Sequence, residues 1–169
     1  MPRAIETRYK GRLFRSRLEA RYAVLFDALA IDWDYEPEGY DLGGGTWYLP
    51  DFFLRVPAGD PLRQKYPDAG YWVEVKPIPP SDAEIDKMVR LCKQTGHHGY
   101  IFVGPPSEGS VYSCDLGSGW RGRTTGGLRG SAPLQMCAKL AGAGYNDAYT
   151  RGAGLALSAR FDGRGRAST

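Results

Sequence analysis

The chain has 169 residues, 42% of them hydrophobic, which is enough for one domain with a real core or for a domain plus an appendage. No apolar run is long enough to cross a bilayer, and the Arg-containing N-terminus lacks the hydrophobic segment of a signal peptide, so a cytoplasmic protein is expected. Cys92, Cys114 and Cys137 are odd in number and far apart, which argues against a disulfide framework or a paired-cysteine zinc site. They read as small buried apolar residues in a reducing compartment. The net charge of +3 is unevenly placed: seven Lys or Arg against two acids in residues 1–21, and eight against two in residues 116–169. The middle then holds seven basic and fifteen acidic residues, a balance of −8. Basic ends around an acidic centre suit a polyanion gripped by the ends and presented to a metal in the middle; simple solvation of the Arg-rich ends is the alternative.

In chain order, residues 1–13 show no period and read as an irregular basic lead-in carrying Arg12, with Arg15 just beyond it. Ser16-Arg17-Leu18-Glu19 matches a capping box, and Leu18, Tyr22, Leu25, Phe26 and Leu29 recur at helical spacing, so a helix is expected from Ser16 to about Ala30–Asp32. Glu19 lies at the edge of that stripe, where it can either cap the helix or reach a cleft between helix and sheet. Ile31 to Glu38 reads as a first strand and Thr46 to Val56 as a second, joined through the Gly43-Gly44-Gly45 turn. Glu36 and Glu38 are near enough in sequence to be extra ligands, but read first as a solvated strand end. Pro50 beside Asp51 predicts a kink or bulge that turns Asp51 out of the strand alternation.

Residues 57–70 are loop-like, with Arg63 and Lys65 near the expected mouth of a site. Tyr71 to Lys76 is a short apolar run that suits a strand, with Val73 and Val75 on one face and Glu74 and Lys76 on the other. Ser81-Asp82-Ala83-Glu84 is a second capping box, opening a helix with Ile85, Met88, Val89 and Cys92 on its apolar side and Gly96 at its end. His97 and His98 occupy the following turn, and Tyr100 to Val103 is a compact strand, with Val111 to Leu116 as one more. From Gly117 the composition turns to Gly, Arg, Ser and Thr. Trp120, Arg121, Arg123 and Arg129 read as a flexible basic loop whose aromatic can stack on a base. Pro133 to Ala143 and Tyr145 to Phe161 are possible helices, and Gly163 to Thr169 a disordered tail.

An acid and an amine two residues apart in so apolar a run are costly to bury without partners, and Asp51 offers one. Two carboxylates and a lysine meeting on adjacent strands make a site for a hard cation. Pro50-Asp51 followed by Glu74-Val75-Lys76 resembles the signature of the PD-(D/E)XK nuclease superfamily, over roughly Phe14 to Val103. The resemblance implies an α/β (α+β) restriction-endonuclease-like core, a central mixed sheet flanked by helices in the order αβββαβ. That core would span residues 14–116, with residues 117–169 as a basic, Gly/Arg-rich C-terminal extension.

It also implies Mg²⁺, with Mn²⁺ as a substitute, held by Asp51, Glu74, the Val75 carbonyl and Glu19. Lys76 would serve the attacking water, and no small-molecule cofactor beyond the metal is expected. The partner would be DNA, met by Arg12, Arg15, Arg63, Lys65, Trp120, Arg121, Arg123 and Arg129; there is no membrane, and a homodimer is plausible. The chain is similar to small phage-type endonucleases, Holliday-junction resolvases and transposition endonuclease subunits, so a phage-encoded protein in a bacterial host is expected. The alternatives are a catalytically silent or partner-dependent DNA-binding subunit of a recombination or packaging assembly, and a nuclease acting on RNA.

Overall fold

The computed structural model describes residues 4–116, 119–125 and 132–142, with Gly154, Ser158, Arg160–Phe161 and Ala167–Ser168 beyond them. The N-terminal stretch is not an irregular lead-in. It is a hairpin of β1 (Thr7–Tyr9) and β2 (Arg12–Phe14). Lys10 and Gly11 both take positive φ, at 46° and 79°, the tight turn whose twist matches paired strands. Strands of three residues are too short for alternation to announce them. The hairpin belongs to the core: the fully buried Phe14 ring lies 4.5 Å from that of Tyr35.

Helix α1 (Arg17–Ala28) starts at the expected cap, Ser16, and buries Tyr22, Leu25 and Phe26 completely, with Leu18 and Leu29 at the edge. It ends slightly earlier than expected. Ala30 adopts a left-handed φ of 54°, its N–H bonds the Asp27 carbonyl at 3.0 Å, and Ile31 N–H returns to Phe26 at 2.9 Å. This is the glycine-type helix stop made with alanine, so no glycine marks it in the sequence.

The expected first strand shortens to β3 (Trp33–Tyr35), because Glu36 takes a φ of 46°. The expected second strand is broken in two. Its first part, β5 (Trp47–Tyr48), pairs with β4 (Tyr40–Asp41) across the triple-glycine turn. Its second part, β6 (Phe52–Arg55), pairs antiparallel with β3. The loop that follows contains a short helix, α2 (Pro61–Lys65), capped by Asp60. Strand β7 (Gly70–Lys76) is antiparallel to β6. Helix α3 (Asp82–Thr95) has the complete Ser81–Glu84 capping box and closes at Gly96 with φ 75°, as expected. It carries the chain to β8 (His98–Val103), parallel to β7, and then to β9 (Ser110–Asp115).

The Gly/Arg-rich stretch after residue 116 is not merely an appended loop. Gly119–Thr125 forms β10, antiparallel to β9 with a register shift between Trp120 and Gly122. Helix α4 (Ala132–Leu140) buries Leu134, Cys137, Ala138 and Leu140 in the main core. Arg160–Phe161, at the end of the helix expected over Tyr145–Phe161, is a strand instead, and it pairs with Ala167–Ser168 of the tail expected to be disordered. Most of the helix expected over Tyr145–Phe161 falls outside the described residues.

The result is a mixed α+β fold. Its six-stranded sheet runs β10-β9-β8-β7-β6-β3, with β7 and β8 the parallel pair. On one face Phe52, Leu54, Val73, Val75 and Phe102 pack with residues of α1 and α4. On the other, Trp72, Ile101 and Val103 pack with Met88, Leu91 and Cys92 of α3. All three cysteines are buried and free. Among the described residues no helix is long and apolar enough to cross a membrane.

Candidate active site

Pro50 has no N–H to continue a ladder, and the strand breaks there. Phe52 pairs with Val73 and Tyr35 with Phe52, so one step further along the same registers sets Glu36 beside Asp51 and Asp51 beside Glu74. The Glu36 N–H donates to the Asp51 carbonyl at 2.8 Å, which holds the three acids in a row across three chain segments. Freed from the strand, the Asp51 carboxylate accepts the Val75 N–H at 2.8 Å through Oδ2 and the Arg15 guanidinium at 2.8 Å through Oδ1. The expected kink is thus present, and it turns Asp51 toward β7.

Asp51, Glu74 and Glu19 are all buried, at 3%, 7% and 7% exposure. Burial pushes the Asp51 carboxyl well above the usual carboxylate range, and the charges of Glu74 and then Glu19 push it the same way. The Val75 N–H and Arg15 act against this without overcoming it. Three acids therefore share one electrostatic neighbourhood, and it is short of positive charge.

Glu74 receives the Tyr48 hydroxyl at 3.0 Å on Oε2 and the Lys76 ammonium at 3.0 Å on Oε1. Lys76 is also 3.0 Å from Glu84 Oε1, at the first turn of α3. Burial alone would lower the Lys76 pKa, but Glu74 and Glu84 outweigh it and the value is raised. Burial beside Glu74 likewise holds the Tyr48 phenol well above its ordinary value.

Glu19 serves mainly as a cap. Its N–H donates to Ser16 Oγ at 3.1 Å and its Oε1 accepts the Ser16 hydroxyl at 2.7 Å. Its Oε2 accepts the Arg15 N–H at 3.2 Å and the Tyr35 hydroxyl at 2.5 Å, so both oxygens are engaged. Its reach toward Asp51 is through charge.

The residues expected at a nucleic-acid surface fare differently. Arg15 is drawn into the site, with Nε also 2.5 Å from Glu36 Oε1. Arg12 lies over the Trp33 ring at 5.2 Å, and Lys65 over Tyr66 at 5.1 Å. Arg63 is tied to Asp32 at 3.1 Å and to the Val56 carbonyl at 3.0 Å. The backbone of Trp120, Arg121 and Arg123 lies in β10, while Arg129 falls outside the described residues. His97, half-buried, packs edge-on against Phe53 at 5.0 Å, and burial lowers its pKa.

Four participants escaped the sequence: Tyr35, Tyr48, Glu36 (read as a solvated strand end) and Glu84 (read as a cap alone). Only the tertiary fold brings the first three to the site. Among the described residues no three His, Cys, Asp or Glu side chains form a ready-made metal cluster. Asp51 and Glu74 are nevertheless the donors a hard divalent cation takes. Mg²⁺ commonly uses one or two carboxylates and keeps its remaining waters. Two buried carboxylates whose charges raise each other's energy fit such an ion. No protein-family model matches the chain, and no curated protein matches it.

Proposed function

We propose that the chain is a metal-dependent DNA endonuclease of PD-(D/E)XK type, hydrolysing phosphodiester bonds at Asp51, Glu74 and Lys76. The observation that carries this reading is the buried Asp51–Glu74 pair on neighbouring strands, with the Lys76 ammonium 3.0 Å from Glu74. An ordinary surface ion pair would not need the broken strand that aims Asp51 at β7. The order α1-β3-β6-β7-α3-β8 supports a restriction-endonuclease-like core, to which β1, β2, β9, β10 and α4 are additions.

Asp51 and Glu74 would hold Mg²⁺ or Mn²⁺, with the Val75 carbonyl as a further ligand. When bound, the ion supplies a polarised water and neutralises charge on the phosphate oxygens. Glu84 keeps the Lys76 ammonium at the site, where it orients the attacking water and offsets the negative charge that grows in the transition state. Tyr48 fixes the Glu74 carboxylate through Oε2, leaving the Lys76 side of the group in one orientation. Glu19 and Tyr35 hold the backbone of Arg15, so that the first turn of α1 forms one wall of the site.

The test is a cleavage assay on supercoiled, linear, branched and single-stranded DNA, and on RNA, with Mg²⁺ or Mn²⁺ against EDTA. Metal-dependent cutting of DNA, lost in Glu74→Ala and Lys76→Ala while DNA binding persists, is the expected result. Unchanged cutting in either variant refutes the site. Cutting of RNA alone, or salt-sensitive binding of DNA with no cutting, replaces the proposal with one of the two alternatives.

A further inference from the structure

Arg15 occupies an unusual position for a residue expected to meet DNA. Its guanidinium is 2.8 Å from Asp51 Oδ1 through Nη2 and 2.5 Å from Glu36 Oε1 through Nε. Asp51 Oδ2 is already taken by the Val75 N–H. Each oxygen keeps a second lone pair, but Oδ1 already carries the guanidinium. A divalent ion brought onto Oδ1 would meet that cation at the same atom, and the repulsion between them sets the two in competition for the Asp51 charge.

Arg15 is also placed to let go. Asp51 is 4% exposed at its side chain, whereas Arg15 is 56% exposed, so the guanidinium enters the site from solvent and can swing back toward it. Its backbone N–H remains fixed to Glu19 and the Tyr35 hydroxyl whatever the side chain does. The contact with Glu36, near the edge of the same site, limits how far the charge can retreat. A guanidinium displaced from Asp51 would stand at the mouth, with its Nη donors turned free for a phosphate.

From this contact we propose that Arg15 is a tethered stand-in cation: it balances the Asp51 charge until a divalent metal displaces it, and it then clamps the backbone phosphate of the DNA. The inference rests on the metal-dependent reading above. It goes further in making metal loading and phosphate binding a single exchange, since each offers a partner to a group the other releases. Metal alone should bind weakly, because it must break the Arg15–Asp51 pair. DNA alone should gain little from Arg15, because its charge is already balanced by Asp51 and Glu36.

Two measurements test it without turnover. In calorimetric titration with Mn²⁺ and no DNA, Arg15→Gln should bind about tenfold more tightly than wild type, a change of about 1.4 kcal/mol. Arg15→Lys, with a single-pronged charge, should fall between. In anisotropy titration of a labelled duplex in EDTA, Arg15→Gln should bind as wild type does. Asp51→Asn should bind severalfold tighter, and the Asp51→Asn/Arg15→Gln double variant should lose that gain.

Equal or weaker Mn²⁺ binding by Arg15→Gln, in a wild type that does bind Mn²⁺ and loses it in Glu74→Ala, overturns the exchange and leaves the nuclease reading standing. A gain in DNA binding that persists in the double variant overturns the clamp. If neither wild type nor Arg15→Gln takes up Mn²⁺, both the exchange and the metal-dependent reading fail. Thermal unfolding of each variant separates these outcomes from misfolding.

Discussion

Glu84→Gln separates two tasks that one side chain performs. Glu84 Oε2 accepts the Ser81 N–H at 2.8 Å and its hydroxyl at 3.0 Å, which closes the capping box of α3. Oε1 lies 3.0 Å from the Lys76 ammonium. Glutamine serves the capping box as well as glutamate does, so the cap survives and only the charge is lost. That charge sits 39% exposed, so its pairing with Lys76 is screened and contributes about 0.5 kcal/mol. Its favourable place in the first helical turn adds about 0.5 kcal/mol. The sum of about 1 kcal/mol corresponds to a melting temperature lower by about 2–4 °C for a chain of this length. Catalysis should suffer more. If Glu84 holds Lys76 where it stabilises the transition state, loss of an interaction of 1–2 kcal/mol costs about 5- to 30-fold in kcat. KM should change little, since Glu84 touches no phosphate. Glu84→Ala should match that kcat and lose about a further 1 kcal/mol of stability with the cap. Paired thermal scans and steady-state cleavage assays decide. A Glu84→Gln enzyme with wild-type kcat, or one as unstable as Glu84→Ala, refutes the division of labour.

Asp27 fastens the N-terminal hairpin and β3 to α1, accepting the Tyr9 hydroxyl at 2.9 Å, the Trp33 indole at 3.0 Å and Lys10 at 2.8 Å. Discounting the exposed Lys10, Asp27→Ala should cost about 3 kcal/mol and about 6–12 °C in melting temperature. Burial alone would raise the Asp27 pKa, yet its three partners hold it below the ordinary value. Its contribution is therefore present above the unfolded pKa of about 3.9 and is lost as pH falls through the lower folded value, so the wild-type and Asp27→Ala melting curves should converge in acid. Ala30→Gly should raise stability by about 0.5–1 kcal/mol, because glycine takes the left-handed φ of 54° without the cost alanine bears; equal or lower stability counts against that helix stop. Tyr48→Phe leaves buried Glu74 without its 3.0 Å phenol donor, and a denaturant midpoint unchanged from wild type would show that bond to be unimportant where about 1.5–3 kcal/mol is expected.

What the sequence made legible follows the range of the forces involved. The two helix caps, the glycine stop at Gly96, the alternation of β7 and the Pro50 break are local, encoded in a few adjacent residues, and they read directly. Those same features carry Asp51, Glu74 and Lys76, which the fold brings together. Local rules failed where their usual mark was absent. The stop at Ala30 has no glycine, the hairpin around Lys10–Gly11 has strands too short to alternate, and β10 is hidden in a Gly- and Arg-rich composition that suggests a loop. The strand is held there by its partner β9, and pairing of that kind is invisible to composition.

The remaining groups of the site are long-range by nature. Arg15 meets Asp51 across 36 positions, Tyr48 meets Glu74 across 26, and Tyr35 meets Glu19 across 16. The pairings join the turn before α1 to the Pro50 break, β5 to β7, and β3 to α1, and no single segment contains both partners of any of them. Glu36 is of the same kind: it is followed in sequence by Pro37 and Glu38, while its neighbours in space are Arg15 and the Asp51 carbonyl. A buried acid pair attracts whatever cation the fold can bring, and in this chain the fold brings two, one on each side. Lys76 comes from the strand that carries the motif and was therefore legible. Arg15 comes from the turn ahead of α1, and the backbone bonds that fix that turn to Glu19 and Tyr35 set its guanidinium on Asp51 Oδ1.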